Sequence, residues 1–203
     1  MGKKVVSFLV SGRGSNFSKV AEKILQGEIK AKLGIVISDK GDAKALQIAK
    51  EYNMDSFYIN PRLFSSREAH EKEMVKLLKK YKTDLVVAAG YMRILTPYFI
   101  KKFKNRIINI HPALLPSFPG VHAQEKAFNY GVKVTGCTTH FIDEGTDTGP
   151  IILQTAVPIL EKDTAAALSG RILKEEHRIL PESIRLFCEN KLKVVGRKVI
   201  IKK

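Results

Sequence analysis

Short apolar runs separated by helix-patterned stretches are the feature that most restricts how this chain can fold. Val5–Val10, Leu33–Ile37, Leu85–Ala89 and Ile107–Ile110 have strand length, and Ser56–Ile59 is a shorter candidate. Helical patterns lie between them: Phe17 to about Leu25, Ala43–Tyr52 with Ala45, Leu46 and Ala49 apolar, and Ser65–Tyr81 with Met74, Leu77, Leu78 and Tyr81 on one face. Runs that are continuously apolar, rather than alternating, belong to strands covered on both faces. The β-α-β-α order therefore predicts an α/β fold with a mostly parallel, Rossmann-like central sheet and helices on both faces. After Gly131 the texture changes. Val132–Ile142 and Ile151–Val157 predict antiparallel C-terminal strands, Asp163–Glu189 a long helix, and Leu192–Ile201 a hairpin around Gly196-Arg197. No repeat, low-complexity segment or Pro/Gly-rich linker interrupts the 203 residues, so a single domain over 1–203 is expected.

Charge is the main argument for a different kind of protein. A net charge of +15 suits nucleic acid or an anionic small substrate. The lysines are scattered, however, with Lys79, Lys80 and Lys82 ending one helix and Lys101, Lys102 and Lys104 flanking another. Only Lys191–Lys203 is one-sided, and aromatic residues do not interleave with the charges as a stacking surface requires. A solvated basic surface is the better reading, and nucleic acid is not an expected partner. No stretch approaches the ~18 apolar residues that span a bilayer, and Val5–Val10 after Lys3 and Lys4 reads as a strand, not a signal peptide. Cys137 and Cys188 lie far apart with no CxxC spacing, which disfavours a disulfide framework or zinc site and points to the cytoplasm.

Two segments carry chemistry. The loop Ser11-Gly-Arg-Gly-Ser-Asn16 follows the first strand and opens a helix. Its glycines permit a tight turn, and the helix amides beyond it favour an anion such as a monophosphate. Position 17 is Phe, so the dinucleotide fingerprint fails, and no Gly-Lys-Ser/Thr follows to make a Walker loop. A helix start that is merely capped by Ser15 or Asn16 remains the alternative. The second segment is Asn109-Ile-His-Pro-Ala-Leu-Leu-Pro-Ser-Phe-Pro-Gly120, followed downstream by Asp147-Thr-Gly-Pro150. No histidine pair has zinc spacing and no Gly-x-Ser-x-Gly elbow exists, so metal and nucleophile-triad chemistry are disfavoured and no metal is expected. Asn109 and His111 are two apart on an extended chain and project the same way, so an amide and an imidazolium could stabilise one oxyanion. Asp147 near His111 would raise the imidazole pKa and help move a proton from an attacking amine.

Together with Gly90-Tyr-Met-Arg-Ile-Leu95, these motifs resemble phosphoribosylglycinamide formyltransferase, the folate-dependent enzyme of purine synthesis, over nearly the whole chain. The resemblance implies a Rossmann-like formyltransferase fold. Its N-terminal half would bind phosphate and its C-terminal half would complete the folate site. It implies transfer of a formyl group from 10-formyltetrahydrofolate to the amine of glycinamide ribonucleotide (5-phosphoribosylglycinamide), as a monomer or homodimer with small-molecule partners. It implies that Gly14, Ser15 and Asn16 bind the substrate phosphate, and that Glu176, with Lys174 near it, contacts the ribonucleotide. Arg67, Met92, Arg93, Ile94, Leu95, Asn109, Asp143 and Asp147 would serve the folate site, with His111 as proton donor kept protonated by Asp147. Without the resemblance, Met92–Leu95 reads as ordinary core and Arg67 as a surface cation. Ala113 stands where relatives often have serine, and Gln124 where some have histidine.

Three rivals share parts of this pattern. A methionyl-tRNA formyltransferase would suit the charge, but usually carries a further C-terminal RNA-binding domain, for which the residues after Glu189 leave no room, and lacks the Gly-Ser-Asn turn. A formyltetrahydrofolate deformylase would use water as acceptor, but typically has an extra N-terminal domain, whereas the first strand here begins at Val5. A basic nucleic-acid-binding module leaves Asn109, His111 and Asp147 unexplained.

Overall fold

A computed structural model describes residues 2–202; Met1, and Lys203 at the end of the basic tail, lie outside the described residues. The chain resolves into two compact units, one ending at Asn109 and the other beginning at Ile110.

In the first unit, β1 (Lys4–Val10), β2 (Ala31–Ser38), β3 (Ser56–Tyr58), β4 (Leu85–Ala88) and β5 (Ile107–His111) pair in parallel, in the order β3-β2-β1-β4-β5. The last two residues of β5 open the second unit. The chain winds outward from β1 to β3 and then adds β4 on the other flank of β1, which creates a topological switch between β1 and β4. Every residue of β4 is buried, as its unbroken apolar run predicts. Helices α1 (Ser15–Leu25), α2 (Lys44–Glu51), α3 (Arg67–Lys80) and α4 (Pro97–Lys102) connect the strands, with a 3₁₀ turn at Pro61–Leu63. Ser66 caps α3 by accepting from the Ala69 amide at 3.0 Å, and Glu68 in the first turn and Lys79 and Lys80 in the last complement the helix dipole. The buried face of α3 runs through His70, Glu71, Met74, Val75 and Leu78. It is rotated from the expected one, leaving Leu77 and Tyr81 half-buried.

The second unit holds α5 (Ala123–Tyr130), β6 (Val134–Phe141), β7 (Ile151–Pro158), α6 (Ala165–Cys188), β8 (Leu192–Val195) and β9 (Lys198–Ile201). β6 and β7 are antiparallel, as are β8 and β9, and the order is β6-β7-β9-β8. The expectation of antiparallel C-terminal strands therefore holds, with one parallel link where β9 meets β7. Gly196 has φ +58 and Arg197 does not adopt positive φ, the pattern of a two-residue II′ hairpin turn with glycine first. Helix α6 packs on β6 and β7 through the stripe Leu168, Ile172, Ile179 and Ile184. Burying each such side chain contributes roughly 1.5–3 kcal/mol. No helix among the described residues is long and apolar enough to cross a membrane.

Candidate functional site

The first unit builds the turn after β1 almost entirely from backbone. The Ser11 amide donates to Gly90 O at 3.1 Å, so the turn is tied to the end of β4. The Ser11 hydroxyl donates to Asp39 Oδ1 at 2.6 Å and accepts from the Met92 amide at 2.9 Å. One buried side chain thus joins the carboxyl ends of β1, β2 and β4, beside the switch point. Gly12 O accepts from the Ala45 amide at 3.1 Å. Gly14 has φ +78, and a Cβ there would lie 2.7 Å from Ala45 Cβ, so both conformation and clearance demand glycine. Helix α1 then starts at Ser15 with no side-chain cap hydrogen bond and no acid in its first turn. The N-cap is Gly14, which has no side chain to close the first turn of α1, and a helix start of this kind favours an anion.

The segment after Gly90 is not uniform core. Leu95 is buried, whereas Met92 and Ile94 are 63% and 56% exposed, a cost in apolar hydration that a ligand surface would relieve. Arg93 is half-buried, and Arg67 is exposed at the first turn of α3. Asn109 on β5 pairs with Ala88 on β4 and stands two residues before His111.

The second unit gathers the titratable groups. His111 is 4% exposed at the end of β5. Its Nε2 donates to the carbonyl of Phe118 at 2.8 Å, and its Nδ1 lies 3.2 Å from Asp147 Oδ2. Both ring nitrogens therefore face acceptors, an arrangement that suits the imidazolium. Asp147 Oδ2 also accepts from the Gly120 amide at 2.7 Å, and Oδ1 lies 3.6 Å from His140 Nε2. His140 is held from the other side, its Nδ1 2.9 Å from Phe141 O.

Burial acts on both members of the pair, with opposite outcomes. It raises the Asp147 carboxyl, but contacts with His140, the Gly120 amide and His111 outweigh it and bring the pKa down to about 2. For His111, burial lowers the imidazole pKa below its ordinary value; Asp147 and the Phe118 carbonyl oppose it without overcoming it, and His140 and Lys126 add to the lowering. The expectation that Asp147 raises the imidazole pKa thus describes one contribution and not the net result. A carboxylate already shared with a backbone amide and a second histidine cannot offset the loss of water around the ring.

The Pro-rich segment after His111 is fixed by side chains as well as by proline. Thr138 Oγ1 on β6 donates to Ala113 O at 2.7 Å and accepts from the Leu115 amide at 3.1 Å and Gln154 Nε2 at 3.0 Å, which uses its full hydrogen-bonding capacity. Gln154 Nε2 also donates to Leu115 O at 2.9 Å. Asp143 Oδ1 accepts from Thr148 Oγ1 at 2.6 Å and from the Gly145 amide at 3.2 Å, so it holds its own loop. On α6, Glu176 is buried and Lys174 exposed; two residues apart on a helix, they do not share a face. Gln124 accepts from Ser169 Oγ at 3.1 Å. His140, Thr138 and Gln154 were not singled out in the sequence. The β6/β7 ladder slips between Thr139 and His140, and a bulge that re-aims a side chain leaves no mark in the residue pattern.

A doubly wound parallel unit with an open helix start, and a unit carrying a buried imidazole–carboxylate pair, define an α/β protein with groups suited to proton transfer. Residues 3–184 match the formyl transferase family, and the chain belongs to it. Over 182 residues it is 38% identical to phosphoribosylglycinamide formyltransferase of Bacillus subtilis, covering 90% of this chain and 93% of that protein. The crystal structure of glycinamide ribonucleotide transformylase 1 from Symbiobacterium toebii matches with a TM-score of 0.97 at 46% identity, over 99% of this chain and 95% of that one. The trifunctional purine biosynthetic protein adenosine-3 of Drosophila melanogaster is 42% identical over 187 residues, which are 91% of this chain and 14% of that much longer protein. The family resemblance read from the sequence is borne out, as is the fold class.

Proposed function

We propose that the chain transfers the formyl group of 10-formyltetrahydrofolate to the amine of 5-phosphoribosylglycinamide, giving the formylated product and tetrahydrofolate in purine synthesis. The observation that carries this reading is the buried His111–Asp147 contact at 3.2 Å, in a chain that also offers the bare helix start behind Gly14. Gly14, Ser15 and Asn16 receive the phosphate of the acceptor. Exposed Met92 and Ile94 offer apolar surface to the folate donor. Asn109 and His111 stabilise negative charge developing on the formyl oxygen. The net reaction moves one proton from the attacking nitrogen to the leaving nitrogen. His111 provides that route: its lowered pKa readies the ring to take the proton, and Asp147 steadies the imidazolium until the proton is passed on. On α6, Glu176 contacts the ribonucleotide, with exposed Lys174 near it.

The test is an assay with 10-formyltetrahydrofolate and three acceptors: glycinamide ribonucleotide, initiator methionyl-tRNA, and water alone. Turnover with the ribonucleotide is expected. Turnover with tRNA or water in its place overturns the acceptor assignment in favour of the corresponding rival. Cys137 and Cys188, far apart in the chain with no CxxC spacing, fit a reducing cytoplasm. A monomer or homodimer is expected, to be read by sedimentation.

A further inference from the structure

Nothing in the proposed reaction uses the C-terminal hairpin, yet its tip reaches the loop that carries Asp147. Arg197 Nη2 donates to the carbonyl of Thr148 at 3.0 Å, one residue beyond Asp147. β9 meets β7 in parallel at Ile151–Lys198, so the residue after Arg197 is paired with the residue where the loop becomes strand. The Asp147 carboxylate is held by the Gly120 amide and the two histidines, and the backbone on either side of it is tied within the loop and to the end of β6. Asp143 holds the Thr148 hydroxyl, the Phe141 amide donates to Pro150 O at 2.9 Å, and Gly149 lies so close to Phe141 O that a Cβ would come within 1.8 Å of it. Between these anchors Asp147 sits at φ +56, a left-handed conformation that non-glycine residues seldom adopt.

We propose that Arg197 is a positioning residue: from the β8–β9 hairpin it braces the Thr148 carbonyl and so keeps the Asp147 carboxylate on His111. This inference rests on the proposed function, because it assigns Arg197 a role through Asp147.

Four variants test it under the formyl-transfer assay: Arg197→Ala, Arg197→Lys, Asp147→Asn, and Lys193→Ala as a hairpin control. Arg197→Ala should lower kcat by about threefold to tenfold, the scale of the net contribution of one exposed hydrogen bond. It should also move the pH limb that reports His111 to lower pH. The groups facing that ring are Asp147, which raises its pKa, and His140 and Lys126, which lower it along with burial; loosening Asp147 leaves the lowering influences. Arg197→Lys should recover most of the loss, and Lys193→Ala should match the parent. Parental kcat and an unmoved limb in Arg197→Ala overturn the brace, as does a drop in Tm with the limb unmoved. If Asp147→Asn is inactive while Arg197→Ala is parental, the brace alone fails. Full turnover in Asp147→Asn overturns both the brace and the function on which it rests.

Discussion

At Ser11–Asn16 the groups on offer are backbone amides; around His111 they are side chains that titrate. The turn presents α1's first amides with no side-chain cap, and what shapes it is a positive φ and the absence of one Cβ at Gly14. The His111 cluster is the reverse: each ring nitrogen and each Asp147 oxygen lies close to a polar group within its own unit. A site made of amides keeps its polarity at any pH and depends on side-chain identity at few positions. A site made of an imidazole and a carboxylate trades that constancy for the ability to move a proton, and must be held by many partners to keep its geometry.

Mutation and pH can break this contrast. The largest effect is expected for His111→Ala, which should lower turnover by roughly 100-fold or more while circular dichroism stays native. Full turnover would remove His111 from the chemistry. Gly14→Ala should act through the fold, because it forces a Cβ against Ala45 at positive φ; a loss of about 1–3 kcal/mol in urea unfolding is expected, together with weaker ribonucleotide binding. An unchanged unfolding midpoint would mean that the turn yields. Stability should also fall in acid. The Asp147 pKa is lowered from 3.8 to about 2, so its contribution is complete above the unfolded value and is lost as pH falls from about 4 towards 2. That window is worth about 2 kcal/mol, and Asp147→Asn should flatten it in a pH series of denaturation curves. The smallest effect is expected for Asn16→Ala, which should raise KM for the ribonucleotide by about tenfold, the scale of one hydrogen bond to a charged group, and leave kcat near the parental value. A kcat loss without a KM change would count against the phosphate assignment.

How far the sequence could be read follows the same division. The apolar runs of β1, β4 and β5 announced a parallel sheet, and Gly12 and Gly14 between a strand and a helix announced the turn, because each signal is local. Helix α5 escaped notice because it buries only Ala123 and Ala127, side chains too small to give a periodic apolar face. Helix α4 is a six-residue element whose start is set by Pro97. His111 and Asp147 could be picked out by their turn contexts, but not the distance between them. His140 reaches Asp147 only through a ladder slip. The direction of the His111 pKa depends on how much water is removed from the ring, which spacing along a chain does not encode.

The close approach of Ala45 to Gly14 has a consequence away from any ligand. Position 45, fully buried at the start of α2, works as a spacer that gauges the height of the turn. A larger residue there, such as valine, has to lift the turn or displace α2, and either shifts the first amides of α1. On the proposed function, the second helix is a place from which acceptor affinity can be tuned while the His111 cluster is left as it is.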